Sequence, residues 1–141
     1  MAKVYVTTLQ RQEVVQRAAE CCEYCWSQAQ YSPDPFSVEH IVPRSKGGTN
    51  DLDNLAYACQ GCNNRKYTAT NALDLVTGTF IGLYHPRRDS WHEHFAWNDD
   101  YTLIVGITPA GRASIEKLQL NRSGVVNLRR ILAAAGVHPP R

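Results

Sequence analysis

Two pairs of closely spaced cysteines restrict the possible folds of this chain more than any other feature of its sequence. Cys22 and Cys25 form one pair, Cys59 and Cys62 form the other, and two residues separate the members of each pair. This spacing lets a short turn present both sulfurs to one ion, and four thiolates make a closed tetrahedral shell for zinc. The sequence therefore predicts a structural Zn²⁺ site that joins two distant segments.

Length and composition indicate a single domain spanning residues 1–141, since 141 residues with 43% hydrophobic content suit one core. No apolar run approaches the roughly 20 residues that a membrane span requires. The first residues also lack the apolar segment of a secretory signal. We expect a soluble, cytoplasmic protein without a membrane partner, whose thiols stay reduced and free for metal.

The cysteines also allow a plainer interpretation, in which the two pairs are buried free thiols. Cys21 directly precedes Cys22, and its spacing to Cys25 does not match the pattern of two intervening residues. We interpret Cys21 as a small buried residue or a bystander rather than a ligand.

Hydrophobic spacing, caps and turn residues divide the chain into helices and strands. The predicted regions are an N-terminal helix region at 1–21, a core at 22–72 and a C-terminal extension at 73–141. We expect a helix from Thr7 or Thr8 to about Cys21, strands at 36–42 and 54–58, a helix from Cys59 to about Ala72, strands at 79–84 and 101–107, and helices at 109–120 and 123–135.

Polar residues follow a distinctive order between and just after the cysteine pairs. Glu39 and His40 precede Pro43 and the glycines at 47 and 48, Asn54 opens a short apolar run, and Asn63 and Lys66 follow the last cysteine. In order and spacing this segment, about residues 21–67, resembles the HNH endonuclease family. The tail, with His85-Pro-Arg-Arg, Trp91-x-x-His94-Phe95 and Gly111-Arg-Ala, resembles the ending of a small group of HNH proteins.

The resemblance implies a ββα-metal finger that cleaves a phosphodiester bond in DNA. By position, His40 would be the general base, Glu39 and Asn63 the ligands of a catalytic divalent ion, and Asn54 the residue that braces the loop and orients the histidine. In the family the first ligand is most often aspartate and the last is often histidine, so Glu39 and Asn63 are variants. The expected fold is α+β: this finger with its zinc knuckle, an N-terminal helix, and a strand-plus-two-helix extension.

The chemistry of these residue types agrees with the resemblance. A histidine has an ordinary pKa near 6.5, which suits removal of a proton from the attacking water. Glu39 and Asn63 offer only oxygen ligands, which favour Mg²⁺ or Mn²⁺, and such an ion offsets charge on the leaving oxygen. Because adjacent residues of a regular strand face opposite sides, the strand must twist or end near His40 if both side chains line one site.

Basic residues flank the predicted site on both sides. The net charge is only +2, so contact with a nucleic acid depends on local clusters rather than overall charge. Arg44, Lys46, Arg65 and Lys66 are the predicted phosphate contacts, although they could also form a solvated rim. DNA is the expected partner, RNA stays possible, no small-molecule cofactor is expected, and the oligomeric state is open.

A second polar cluster and two other functions remain as alternatives. His85, Arg87, Arg88, Trp91, His92 and His94 crowd one stretch. We expect this stretch to pack over the finger, while a nucleic-acid groove is the alternative. The chain could also be a zinc-dependent nucleic-acid-binding module that does not cleave, or a zinc protein that binds only a protein partner.

Overall fold

A computed structural model describes residues 5–140 of the chain, and residues 1–4, which bear on the expected lack of a signal, lie outside this range. Helices and strands alternate through the described part, which confirms the mixed helix-and-strand class. The helices are α1 Thr8–Arg17, α2 Gln60–Lys66, α3 Trp91–His94, α4 Pro109–Leu118 and α5 Ser123–Ala134. The strands are β1 Ser37–His40, β2 Leu55–Ala58, β3 Asn71–Asp74, β4 Thr79–Gly82, β5 Phe95–Trp97 and β6 Ile104–Gly106.

The strands of the described part form three antiparallel pairs, β1 with β2, β3 with β4, and β5 with β6. In the first pair His40 lies opposite Leu55, and Ser37 lies opposite Ala58. All four residues of β2 are buried, and α2 begins at Gln60, one residue after Cys59. A strand, a loop, a second strand and a helix thus follow one another, and β1 ends at His40.

The first helix is shorter than predicted. Thr7 caps α1 through a capping box with Gln10, an arrangement that satisfies two otherwise unpaired donors. The helix ends at Arg17 rather than near Cys21, because Ala19 and Glu20 adopt positive φ angles of 51° and 60°. This turn directs the chain to the first cysteine pair.

The prediction of one helix from Cys59 to about Ala72 is wrong in its second half. The helix ends at Lys66, and Tyr67 has a φ angle of 49°. Residues 71–74 instead form β3 against β4, with Asp74 fully buried. Arg112 donates to the Asp74 carboxylate from Nε at 2.9 Å and Nη2 at 3.0 Å, so a residue of α4 fixes this hairpin.

Both C-terminal helices begin where the sequence predicts, at Pro109 and Ser123, although only α4 has a side-chain cap. Thr108 Oγ1 accepts the Gly111 amide at 3.0 Å, and Pro109 is the first residue of α4. Gly136 follows α5 with a φ angle of 77°, which glycine adopts without strain. The strand predicted at 79–84 is β4, and the strand predicted at 101–107 is limited to β6. The sequence did not predict α3, β5 or β3.

One hydrophobic cluster connects the three predicted regions. It includes Val14 of α1, Leu55 of β2, Phe95 of β5 and Leu118 of α4, each at most 1% exposed. Residues 22–72, the predicted finger, therefore share one hydrophobic core with both flanking regions. Among the described residues, no helix combines the length and apolar character needed to cross a bilayer.

Candidate functional site

The four cysteines of the two pairs converge on one buried point. Their sulfurs all lie within 4.8 Å of one another, and Cys25 Sγ is 3.6 Å from Cys59 Sγ. A tetrahedral zinc site with Zn–S bonds of about 2.3 Å has sulfur–sulfur edges of about 3.8 Å. None of these cysteines is in a disulfide. The four sulfurs therefore fit one zinc ion, while Cys21 lies outside the group and contacts the Ala19 carbonyl oxygen.

Asn54 fixes the loop that follows β1. Its side-chain Oδ1 accepts the Val42 amide at 2.9 Å, and its Nδ2 donates to the carbonyl oxygens of Val42 at 3.0 Å and Thr49 at 2.8 Å. Gly48 is required beside it, because a Cβ there would lie 1.7 Å from the Val42 carbonyl oxygen. The side chain is 8% exposed, so these three hydrogen bonds form in a largely dry environment where they stabilise the loop.

His40 contacts a residue of this same loop. Its Nε2 lies 2.6 Å from Oδ1 of Asn50, and Asn50 is buried. The Asn50 carbonyl oxygen in turn accepts Gln10 Nε2 at 2.7 Å, which ties the loop to α1. An amide oxygen only accepts hydrogen bonds, so an imidazole bonded to this oxygen donates from Nε2, and the neutral tautomer that does so has a free lone pair on Nδ1.

Glu39 faces away from this contact and is 5% exposed. Its carboxylate accepts a short hydrogen bond from the Tyr24 hydroxyl. It also forms an ion pair with Lys66 Nζ at 3.1 Å. Burial raises the pKa of the Glu39 carboxyl, although the Lys66 ammonium and the Tyr24 hydroxyl oppose the shift. Glu39 and His40 thus follow the usual alternation of a strand, and their side chains have different partners.

Lys66 is not available for the phosphate contact predicted from the sequence. It is 1% exposed, and its ammonium donates to the carbonyl oxygens of His40 at 3.3 Å and Ile41 at 2.8 Å as well as to Glu39. Three oxygens therefore surround this buried cation. These contacts engage the ammonium and anchor α2 to the end of β1. Lys66 is therefore not among the proposed nucleic-acid contacts.

The other predicted residues keep exposed or half-exposed positions. Arg44, Lys46 and Arg65 are exposed, and Arg65 Nη1 contacts the Gly61 carbonyl oxygen at 3.2 Å on its own helix. Asn63 is half-buried on α2, and within residues 5–140 its side-chain amide makes no hydrogen bond. Its oxygen therefore has no competing partner there.

The aromatic and basic stretch packs over the finger and also borders a cleft. Trp91 is buried and donates from Nε1 to the Tyr24 carbonyl oxygen at 3.1 Å, and its ring centroid lies 5.1 Å from that of the tilted Trp26 ring. Arg87 pairs closely with Glu23. An open cleft of about 300 Å³ lies between this stretch and the loop after β1. The cleft is lined by Val42, Gly47, Gly48, Thr49, Asp53, Asn54, His85, Arg87 and Arg88.

Sequence reasoning missed three residues that touch these sites: Asn50, Arg122 and Arg129. Asn50 lies in a polar loop whose composition indicated only flexibility. The two arginines lie at least 60 positions beyond the nearest cysteine, where no local pattern connects them to a metal site.

The HNH endonuclease family model matches residues 22–69. This match confirms the resemblance over the segment that contains both cysteine pairs and the polar residues between them. The chain is also 26% identical over 88 residues to the type IV methyl-directed restriction enzyme EcoKMcrA of Escherichia coli (strain K12). That alignment covers 59% of this chain and 32% of the relative, so it spans about a third of the relative's length. Together the two matches support a nuclease.

Proposed function

We propose that this protein is a metal-dependent HNH endonuclease that hydrolyses phosphodiester bonds in DNA, with His40 as the general base. The observation that carries the proposal is the hydrogen bond between His40 Nε2 and Asn50 Oδ1, on a loop that Asn54 braces at three points. This bond holds the ring and directs the proton to Nε2. The Nδ1 lone pair can then take a proton from the attacking water, a contribution of about 10²- to 10⁴-fold to such rates.

Glu39 and Asn63 are the proposed ligands of the catalytic ion, and their oxygens suit Mg²⁺ or Mn²⁺. When bound, a divalent ion would supply charge compensation for the scissile phosphate and the leaving 3′-oxygen. Asn63 fits this role because its amide has no partner within the described residues. Glu39 fits it if the carboxylate exchanges the Lys66 ammonium, now 3.1 Å away, for the metal.

This exchange predicts weak metal binding in the absence of DNA. Lys66 already neutralises the carboxylate. The free energy gained when a divalent ion binds there is therefore only the difference between the interaction of the carboxylate with that ion and its interaction with the ammonium. Phosphate oxygens of bound DNA would complete the sparse protein ligand set. Calorimetry should therefore detect no micromolar Mg²⁺ binding by the free protein, and micromolar binding would contradict the proposal.

Arg44, Lys46 and Arg65 are the proposed phosphate contacts, since they are exposed on the loop and the helix that flank His40. Arg88, which is exposed at the cleft beside the same loop, extends this basic rim. Such contacts position a nucleic acid without reading its sequence. The proposed substrate is therefore a nucleic-acid backbone, with DNA favoured by the relative's description as a restriction enzyme.

A plasmid assay tests the proposed function. Supercoiled plasmid incubated with the protein and Mg²⁺ or Mn²⁺ should become relaxed or linear, and His40→Ala should abolish this conversion while the fold is retained. His92→Ala is the matched control, because His92 is exposed on α3. This variant should cleave the plasmid at the same rate as the parent protein. Plasmids with and without methylated bases, and a structured RNA, should be compared in parallel.

One observation favours a second candidate, a zinc-dependent nucleic-acid-binding module that does not cleave. The carboxylate of Glu39 is already held by Lys66 and Tyr24, and this pairing would persist if no metal displaced it. Protein that shifts DNA in gels but never cuts it with Mg²⁺, Mn²⁺ or Ni²⁺ would support this candidate and refute the nuclease.

A further inference from the structure

Two arginines of the C-terminal extension reach the four-cysteine site. Arg122, the residue that precedes α5, points its guanidinium at the second cysteine pair. Nη2 lies 3.3 Å from Cys59 Sγ, and Nη1 lies 3.7 Å from Cys62 Sγ. A guanidinium has only donors, so both contacts are N–H···S hydrogen bonds to sulfur.

Arg129 lies on α5 and is 3% exposed. It approaches the site at Cys25, a member of the first cysteine pair. Its Nη2 donates to the carbonyl oxygens of Cys25 at 3.3 Å and Leu120 at 2.7 Å. Its Nη1 donates to the Thr102 carbonyl oxygen at 3.0 Å and to Asn121 Oδ1 at 3.1 Å. Each of these acceptors is neutral, Nε has no hydrogen-bond partner among the described residues, and the Trp97 ring, whose centroid lies 5.2 Å from Cζ, has no net charge. None of these contacts balances the charge.

Neither guanidinium has a carboxylate partner: the four ion pairs within residues 5–140 involve other residues. Arg129 is buried and Arg122 is half-buried. A buried cation without a counter-charge is strongly unfavourable, and natural proteins pair such groups. The cysteine site is the buried group that both arginines share as a neighbour. The charge state of that site therefore decides whether the arginines are compensated.

Of three possible states of the cysteines, two are neutral and one is charged. Four thiols, or two disulfides, are neutral and would leave both arginines unbalanced. Four thiolates around one divalent zinc ion carry a net charge of minus two, which two guanidinium groups cancel. The donor set and the two neighbouring cations therefore agree on the same state of the site.

We propose that Arg122 and Arg129 hold the four cysteines as a zinc-bound tetrathiolate, by supplying the counter-charge and, from Arg122, direct hydrogen bonds to sulfur. The C-terminal extension is then part of the zinc site rather than an addition to the finger. Gly61 fits this arrangement, because a Cβ at that position would lie 2.4 Å from Arg122 Nη2. The absence of a side chain between the second pair of cysteines leaves the space that the guanidinium occupies.

Zinc release tests the proposal without any assay of cleavage. Purified, zinc-loaded protein is mixed with a chromogenic chelator, and the rate of zinc transfer is followed at constant pH. Arg122→Met should release zinc about 10- to 100-fold faster than the parent, the range typical for loss of a group that supports metal ligands. Arg122→Lys, which keeps the charge but lacks the forked donors, should fall between the two.

Arg130→Met is the matched control, because Arg130 lies on α5, is exposed, and contacts only Asn127 through its side chain among the described residues. It should release zinc at the parent rate. Equal release rates for Arg122→Met and Arg130→Met would overturn the proposal. If Arg122→Met does not fold, Gly61→Ala provides a second test, since the added methyl group should displace the guanidinium and also accelerate release.

Cobalt substitution gives a spectroscopic readout that a purely structural role would not change. Hydrogen bonds to a thiolate stabilise its lone pairs, so their removal should move the thiolate-to-cobalt charge-transfer band to longer wavelength. The band should shift in Arg122→Met, shift less in Arg122→Lys, and remain in place in Arg130→Met. An unchanged band in folded Arg122→Met would refute the direct hydrogen bonds.

Discussion

The four-cysteine site and the site around His40 lie on the same short segment but are built in opposite ways. The cysteine site is closed, since its sulfurs converge within 4.8 Å and two guanidinium groups surround it. The His40 site is open and incomplete: His40 and Asn63 are half-exposed, and the Glu39 carboxylate is engaged by Lys66. The first arrangement suits permanent retention of an ion, while the second suits groups that must exchange partners.

This difference teaches where rigidity is placed in the finger. The cysteines and arginines hold the ends of the segment, and Asn54 holds the loop between them. The proposed reacting groups, His40 and Asn63, then project from a framework that does not depend on them for stability. Substitutions in the two sites should therefore separate loss of fold from loss of activity.

The largest expected effect comes from Cys59→Ser, which removes one ligand of the closed site. Apparent zinc-binding energies of finger peptides are about 10–16 kcal/mol, and they contribute directly to folding. We expect loss of bound zinc and of the cooperative thermal unfolding transition, measured by elemental analysis and circular dichroism. Cys21→Ser is the control and should keep both, because Cys21 lies outside the quartet. A folded, zinc-free Cys59→Ser protein would remove the basis of the comparison.

Lys66→Met should give the next largest effect, at the boundary of the two sites. It leaves the buried Glu39 carboxylate without its cation, and breaking such a pair costs about 3–5 kcal/mol. Urea denaturation should show this loss of unfolding free energy. In the double variant Glu39→Gln/Lys66→Met most of the loss should be recovered, since neither charge remains. A double variant as unstable as Lys66→Met would show that the ion pair is not the cause.

Asn50→Ala should affect cleavage rather than stability of the closed site. Without the Asn50 oxygen the His40 ring loses its fixed orientation, and kcat should fall about 10- to 100-fold, which is part of the roughly 10²- to 10⁴-fold contribution of a positioned base. KM and zinc content should stay unchanged. An increase in KM at constant kcat would instead assign Asn50 to binding of the substrate.

Arg65→Ala should have the smallest effect, because it removes one exposed charge from the rim of the open site. Loss of one phosphate contact lowers the slope of log affinity against log salt concentration by about 1. Fluorescence anisotropy with labelled DNA at several salt concentrations measures this slope. Arg130→Ala, which removes an exposed charge from α5, should leave the slope unchanged, and an equal change in both variants would indicate only a general effect of net charge.

The parts that could be predicted from the sequence have short-range signals. The spacing of the cysteines specified the quartet, and Thr108 with Pro109 specified the start of α4. Asn54 was predicted to brace the loop from its place in the HNH pattern, and the structure shows the three hydrogen bonds that such a role requires.

The parts that could not be predicted depend on contacts between distant residues. The β3–β4 hairpin was predicted in part as helix, because Asp74 is stabilised by Arg112, 38 positions away. Lys66 looked like a surface charge, since its burial depends on the tertiary position of Glu39. The sequence around Arg122 and Arg129 gives no local signal of a metal site. Which charged group lies beside an arginine depends on the tertiary fold.

The space left by Gly61, which admits Arg122 to the sulfurs, has a consequence for protein engineering. A finger cut after residue 72 and grafted onto another scaffold would lose both guanidinium groups. The two negative charges of the proposed zinc tetrathiolate would then be unbalanced. The graft would need replacement cations at the positions of the two guanidinium groups. With the proposed role of the two arginines, the unit to transplant is the finger together with residues through α5, which extends beyond the family match ending at residue 69.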